Sequence, residues 1–164
     1  QIDLDYCKGF VTDSSFLYVT SGNNNGDGLD ISGSQIYVSG NLFSNFKDKG
    51  ISVGEKSQIF ITKNNFKQNE VASAVKDFSN AYFWKNYFSK NLSNIEVYQK
   101  KKIFGGGRIF LKKEERERLV SSLDKRSKVF FFPEEIEKRK NWLLNPPESL
   151  TKFFTQLELI EFNE

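Results

Sequence analysis

The chain contains no histidine and no methionine, and only one cysteine and three prolines. Without histidine, His-dependent triads, the commonest general base and the commonest zinc ligand are all excluded. A single thiol, Cys7, permits neither an intrachain disulfide nor a cysteine-rich metal site. No stretch approaches the roughly 18 consecutive apolar residues of a membrane helix, so no membrane span is expected. Arginine is missing from residues 1–99, where nine Lys and ten acidic residues nearly balance, and every Arg lies further on. Gln1 leads straight into a strand-like pattern, Ile2-Asp3-Leu4-Asp5. With no initiator Met, this start suggests part of a longer protein, with further coils and a domain upstream and any localisation signal outside this chain.

What is present is aromatic and periodic. The 164 residues suffice for one domain of ordinary size, and 17 of them are Phe, so a narrow, Phe-rich core is expected. Three segments align: Leu29-Asp30-Ile31-Ser32-Gly33-Ser34-Gln35-Ile36-Tyr37-Val38, Ile51-Ser52-Val53-Gly54-Glu55-Lys56-Ser57-Gln58-Ile59-Phe60-Ile61, and Ser73-Ala74-Val75-Lys76-Asp77-Phe78-Ser79-Asn80-Ala81-Tyr82-Phe83. Each runs on into a matching turn and strand, Asn41-Leu42-Phe43, Asn64-Asn65-Phe66 and Asn86-Tyr87-Phe88, so the period is about 22 residues. A fainter copy precedes them through Leu4, Cys7, Val11, Ser14 and Phe16, with a Gly/Asn-rich insertion at Ser21–Gly26. A late copy runs through Leu123, Ser127, Val129, Phe131 and Ile136, the last in the place of Phe66. Between them, Ile95-Glu96-Val97 and Ile109-Phe110-Leu111 form a coil interrupted by Lys100–Gly107.

Within each copy the apolar residues alternate with period two, and the segments are short and punctuated by Gly, Ser and Asn. The expected fold is therefore all-β: a parallel β-helix over residues 1–136, with a short helical C-terminal cap over residues 137–164. Equivalent positions should stack about 4.8 Å apart, giving core columns Leu4/Ile31/Val53/Val75/Val97/Leu123 and Phe16/Phe43/Phe66/Phe88. Asn41, Asn64 and Asn86 should form a hydrogen-bonded ladder at one bend, where Asn also tolerates a left-handed backbone. At the C-terminus, Pro133-Glu134-Glu135-Ile136 suits a helix start. Ser149 should cap a second helix whose Leu150, Phe153, Phe154, Leu157 and Ile160 form an apolar stripe, docked on the last coil.

These coils resemble the right-handed β-helix repeats of the pectate-lyase-like superfamily, as found in many bacterial surface and periplasmic proteins. The wording of Asp27-Gly28-Leu29-Asp30-Ile31-Ser32, Asp48-Lys49-Gly50-Ile51-Ser52-Val53 and Ala74-Val75-Lys76-Asp77 also resembles β-helix regions that accompany spore-coat-protein-H-type kinase domains. No kinase motif is present, so that activity does not carry over.

If Leu4, Ile31, Val53 and Val75 point inward, one outward column reads Asp3, Asp30, Ser52, Ala74, Glu96 and the next reads Asp5, Ser32, Gly54, Lys76, Tyr98. Like charges opposite one another in a sheet repel, so the acidic end needs a cation, a nearby Lys or screening. Asp3, Asp5, Asp27 and Asp30 are candidate Ca²⁺ ligands, and Asp30, Ser52, Glu55, Asp77 and Tyr98 are candidate ligand-binding residues. Lys76 or Lys49 could abstract the proton alpha to a uronate carboxylate if its pKa were lowered. The resemblance implies that this sheet face is where such enzymes work, but those lyases use an Arg there and this face has none. The bland alternative is a solvated face that keeps the solenoid soluble.

Gly105-Gly106-Gly107-Arg108 lacks the Gly-Lys-Ser/Thr ending of a phosphate loop and is expected to be an inter-coil loop. Lys100, Lys101 and Lys102 with Lys112, Lys113, Arg116 and Arg118 could bind nucleic acid or anionic glycans, but Glu114, Glu115 and Glu117 are interleaved, which suits a solvated, ion-paired segment, and no nucleic-acid partner is expected. The preferred function is a carbohydrate-binding or scaffolding module of a secreted, periplasmic or cell-surface bacterial protein, its partner a polysaccharide or other surface component. Two alternatives remain: a Ca²⁺-assisted lyase or epimerase of an acidic polysaccharide, and a purely structural interaction module.

Overall fold

The computed structural model describes residues 1–19, 26–134, 136 and 140–164. Short strands follow one another in repeating sets. The first set is β1 (Ile2–Asp5), β2 (Lys8–Thr12) and β3 (Ser15–Leu17), and the second is β4 (Leu29–Ser32), β5 (Gln35–Ser39) and β6 (Leu42–Ser44). Next come β7 (Lys49–Gly54), β8 (Gln58–Thr62) and β9 (Asn65–Lys67), then β10 (Val71–Lys76), β11 (Asn80–Trp84) and β12 (Tyr87–Ser89). The later coils keep only two strands each: β13 (Ser93–Tyr98) with β14 (Arg108–Leu111), and β15 (Val120–Leu123) with β16 (Lys128–Phe131). Every strand pairs in parallel with its counterpart one coil away. The result is two six-stranded sheets, β1-β4-β7-β10-β13-β15 and β2-β5-β8-β11-β14-β16, and a four-stranded sheet, β3-β6-β9-β12.

The register is the expected one. Leu4 pairs with Ile31, Ile31 with Val53, Val53 with Val75, Val75 with Val97 and Val97 with Leu123, but Leu123, on the last strand of its sheet with no coil beyond to cover it, is 39% exposed and does not join the core. On the third sheet, Phe16, Phe43, Phe66 and Phe88 stack ring on ring, with centroids 4.7, 5.2 and 5.0 Å apart and planes 12° from parallel. Such contacts add about 0.5–1.5 kcal/mol each beyond the area they bury. Ile136 does not extend this column. With no strand of the third sheet after β12, it turns outward and joins a second apolar cluster on the far side of the second sheet.

Three corner columns satisfy the backbone where strands end. Asn64 Oδ1 accepts from the backbone N–H and the Nδ2 of Asn41, both at 2.9 Å, and Asn86 Oδ1 accepts the same pair from Asn64 at 3.0 and 3.2 Å. The ladder is thus as expected, but the left-handed backbone belongs to the residue before each Asn, Gly40, Lys63 and Lys85, and to Asp13 before Ser14 in the first coil. A second ladder, Asn69–Asn91, occupies the third corner, and Ser34, Ser57 and Ser79 accept the corner N–H groups at the first. Buried polar atoms that meet one another in this way escape the cost of unpaired burial.

The second sheet differs from the other two, because both its faces are buried. Ile36, Ile59 and Ala81 face the solenoid interior, while Tyr37, Phe60, Tyr82 and Phe110 point outward into the second cluster. Helices α2 (Lys140–Leu144) and α3 (Leu150–Glu158) cover that outward row. Ser149 caps α3 by accepting from the Lys152 N–H at 3.4 Å, and Leu150, Phe153, Phe154 and Leu157 are buried, as the apolar stripe indicated. Their place is the side of the solenoid. Phe153 meets Tyr37 and Phe60 edge-on at 5.8 and 5.1 Å, Tyr37 Oη donates to the Leu143 carbonyl, and Lys63 Nζ donates to the Leu144 carbonyl. The reason is physical: an exposed stack of aromatic rings is a larger apolar target than the end of one coil. A short helix α1 (Arg116–Leu119) follows a 3₁₀ turn at Lys113–Glu115 ahead of β15, and its Arg118 pairs with Glu115 at 3.2 Å. The Ser21–Gly26 insertion and the helix start at Glu135 lie largely outside the described residues.

Candidate functional site

The outward face of the first sheet carries the expected columns. Asp3 lies opposite Asp30, Asp30 opposite Ser52, Ser52 opposite Ala74, and Ala74 opposite Glu96, while Lys76 lies opposite Tyr98. Pairing on a parallel sheet fixes these side chains on one surface, because every second residue of each strand points the same way.

Lys76 is the centre of the face. Its side chain lies across Gly54, where an added Cβ would sit 3.1 Å from Lys76 Cε, and its Nζ donates to Ser52 Oγ at 2.7 Å. Gly54 therefore makes room for the lysine stem, and the stem in turn buries Ser52. Burial lowers the Lys76 pKa, and the nearby Lys100 lowers it further, while Asp30 and Asp27 act the other way. Lys49 shows the opposite balance. Burial disfavours its charge, but the Asp48 hydrogen bond and the charges of Asp27 and Asp48 outweigh that and raise its pKa. Its Nζ sits 3.3 Å from Asp27 and also contacts Asp48. Asp27 itself is raised by burial, against the pull of Lys49. Tyr98 is raised by burial too, with Lys49 opposing.

Asp27, Asp30, Lys49, Lys76 and Tyr98 thus share one electrostatic neighbourhood. The other candidates are placed differently. Asp77 stands at a corner in a left-handed conformation, and its Oδ1 accepts the N–H groups of Lys100 and Lys101, each at 2.8 Å. Glu55, at the same corner one coil earlier, pairs with Lys101. Both carboxylates tie down the loop that interrupts the next coil. Asp3 and Asp30 are neighbours across β1 and β4, Asp5 faces Ser32, and Asp27 is held by Lys49. Among the described residues no group of three or more His, Cys, Asp or Glu gathers around one point where a metal ion could sit.

Two contributors escaped the sequence reading. Lys100 follows β13 by two residues, and only the fold of its loop brings it near Lys76. The outward aromatic row of the second sheet was signalled by the unbroken apolar runs Ile36-Tyr37-Val38 and Ile59-Phe60-Ile61, which a strand shows when both its faces are covered. The triple glycine has a packing role. A Cβ on Gly106 would come within 2.4 Å of the Arg126 backbone, and one on Gly107 within 2.4 Å of the Val75 carbonyl oxygen.

A solenoid of short parallel strands, with stacked Asn, Ser and Phe columns inside and a mixed-charge sheet face outside, is a parallel β-helix repeat protein. Residues 5–109 match the family described as right handed beta helix region, and the chain belongs to that family; its coil is right-handed. Comparison with curated proteins and with solved structures gives no match. At this general level the fold supports a carbohydrate-binding or structural module.

Proposed function

We propose that the chain is a carbohydrate-binding module that receives an extended polysaccharide along the outward face of its first sheet, in a bacterial protein working outside the cytoplasm. The observation that carries this reading is the group formed by Asp27, Asp30, Lys49, Lys76 and Tyr98. Donors, acceptors and an aromatic ring stand side by side there, Lys76 buried and the other four part-exposed, on a face that runs the length of the solenoid. Sugars are bound by that mixture: hydroxyls exchange hydrogen bonds with charged groups, while a ring face covers C–H surface. The extracytoplasmic setting rests on the resemblance to surface and periplasmic β-helix proteins. The test is calorimetric titration with neutral and uronate-containing oligosaccharides. Lys76→Ala and Tyr98→Ala should each weaken binding about tenfold, the loss of one charged hydrogen bond or one stacking ring. Affinity unchanged in both variants refutes the reading.

One observation favours a second reading, a lyase or epimerase acting on an acidic glycan. The lowered Lys76 pKa brings that amine closer to the neutral form a general base needs, beside Asp30. A calcium ion in this reading would draw on Asp3 and Asp30, with a substrate carboxylate among its ligands. Unsaturated-product absorbance that vanishes in Lys76→Ala supports it, and repeating the assay with a chelator tests the ion. Silence over a panel of acidic glycans counts against it.

A further inference from the structure

The loop between β13 and β14 presents surface that the fold does not use. Gln99 Nε2 donates to the carbonyls of Lys101, Lys102 and Phe104, and Asp77 Oδ1 takes the Lys100 and Lys101 N–H groups. Phe104 packs edge-on against Phe78 at 6.3 Å, and Lys56 Nζ stands 5.8 Å from the Phe104 ring centroid. These contacts pre-form the loop, and what they hold out is Ile103, 82% exposed, beside Phe78, 42% exposed. Around this apolar tip lie exposed Lys56, Lys100, Lys101 and Lys102, with exposed Lys125 and Arg126 on the same corner one coil further. The three carboxylates of the corner are tied into it, Glu55 to Lys101, Asp77 through its Oδ1 to the Lys100 and Lys101 N–H groups, and Asp124 to the N–H groups of Gln99 and Arg126. A single exposed aliphatic side chain is ordinary. An aliphatic tip on a braced loop, next to the Phe104–Phe78 ring pair and on a corner whose six cations outnumber its three carboxylates, is not.

We propose that this corner docks on an anionic lipid surface, with Ile103 entering the interfacial layer and the surrounding lysines and Arg126 meeting the headgroup charge. Charge complementarity selects a polyanionic partner, and the projecting isoleucine selects a bilayer over a soluble polyanion, because an aliphatic group gains only where it leaves water. A basic side chain near such a surface strengthens attachment about fivefold, so the corner as a whole gives reversible binding that weakens with salt. Lys100 borders the first-sheet face as well, but Ile103, Lys102, Lys125 and Arg126 do not belong to it, and vesicle binding is read out whether or not that face binds sugar.

The experiment is co-sedimentation with phosphatidylcholine vesicles, plain or containing about one-third phosphatidylglycerol, with heparin as a soluble competitor. Binding is expected only to the anionic vesicles. It should fall about tenfold or more in Lys100→Glu/Lys102→Glu and about fivefold in Ile103→Ser. Lys67→Glu/Lys90→Glu, which reverses exposed charges beside the third sheet, should leave it unchanged. Absence of binding to anionic vesicles at low salt overturns the proposal. So does binding that is indifferent to Ile103→Ser, since that would mark a site for polyanions in general.

Discussion

Replacing Asn64 with Ala should be among the most damaging single changes this chain can suffer, although Asn64 adds no apolar side chain to the core. Asn64 is fully buried, and its side chain serves three coils at once. Its Oδ1 accepts from the Asn41 N–H and Nδ2, and its Nδ2 donates to the carbonyls of Val38 and Thr62 and to Asn86 Oδ1. Alanine leaves the Asn41 N–H without an acceptor and withdraws a donor from each of the two carbonyls, in a corner closed to water. A buried group left unpaired costs about 1–3 kcal/mol, so with two such groups counted the loss is about 2–6 kcal/mol. For a domain of this size that lowers the melting temperature by about 10 °C. Urea unfolding followed by far-ultraviolet circular dichroism measures the loss, and an unchanged slope with denaturant shows that the folded and unfolded states are otherwise comparable. The control is the adjacent, exposed Asn65→Ala in β9. If Asn64→Ala costs under about 1 kcal/mol, or no more than the control, the ladder is ornamental and something other than stacked Asn holds the corners together.

Phe153→Ala removes the ring that contacts Tyr37, Phe60, Trp142 and Phe154. It should cost about 3–5 kcal/mol and shift the Trp142 emission to the red; emission and stability like wild type would mean that α3 is not held by this contact. Lys76 gives a pH signature. Its folded pKa lies below the ordinary 10.5, so the unfolded chain binds more protons in the window between the two values. Stability should therefore rise with pH through that window, and Lys76→Met should remove the rise; parallel stability–pH curves for the two proteins would refute the burial argument.

Most of the solenoid was readable because its side chains repeat where its backbone repeats. Ile31, Val53 and Val75 stand 10 or 11 residues before Asn41, Asn64 and Asn86, and a parallel register one coil apart stacks both sets. The opposition of Asp3 to Asp30 and of Lys76 to Tyr98 followed from the same register. What lies off the repeat was harder to read. The placement of α3 depends on which apolar surface is largest, and that surface, Tyr37/Phe60/Tyr82, exists only after the strands are folded. Ile136 looked like another Phe66 by spacing alone, but the third sheet had already ended at β12. The engagement of Asp77 and Glu55 with the Lys100–Phe104 loop rests on loop geometry, which periodicity cannot supply.

The helical tail changes how the molecule should come apart. In a plain stack each layer knows only the layers on either side, so strands can peel from an end one at a time. Here Lys8 bonds to Thr151, Lys63 to Leu144, and Phe131 to Asn163, so one C-terminal stretch grips layers from first to last. A brace laid lengthwise across a pile of plates makes the pile fail together: loosening either end must first strip the brace from the middle.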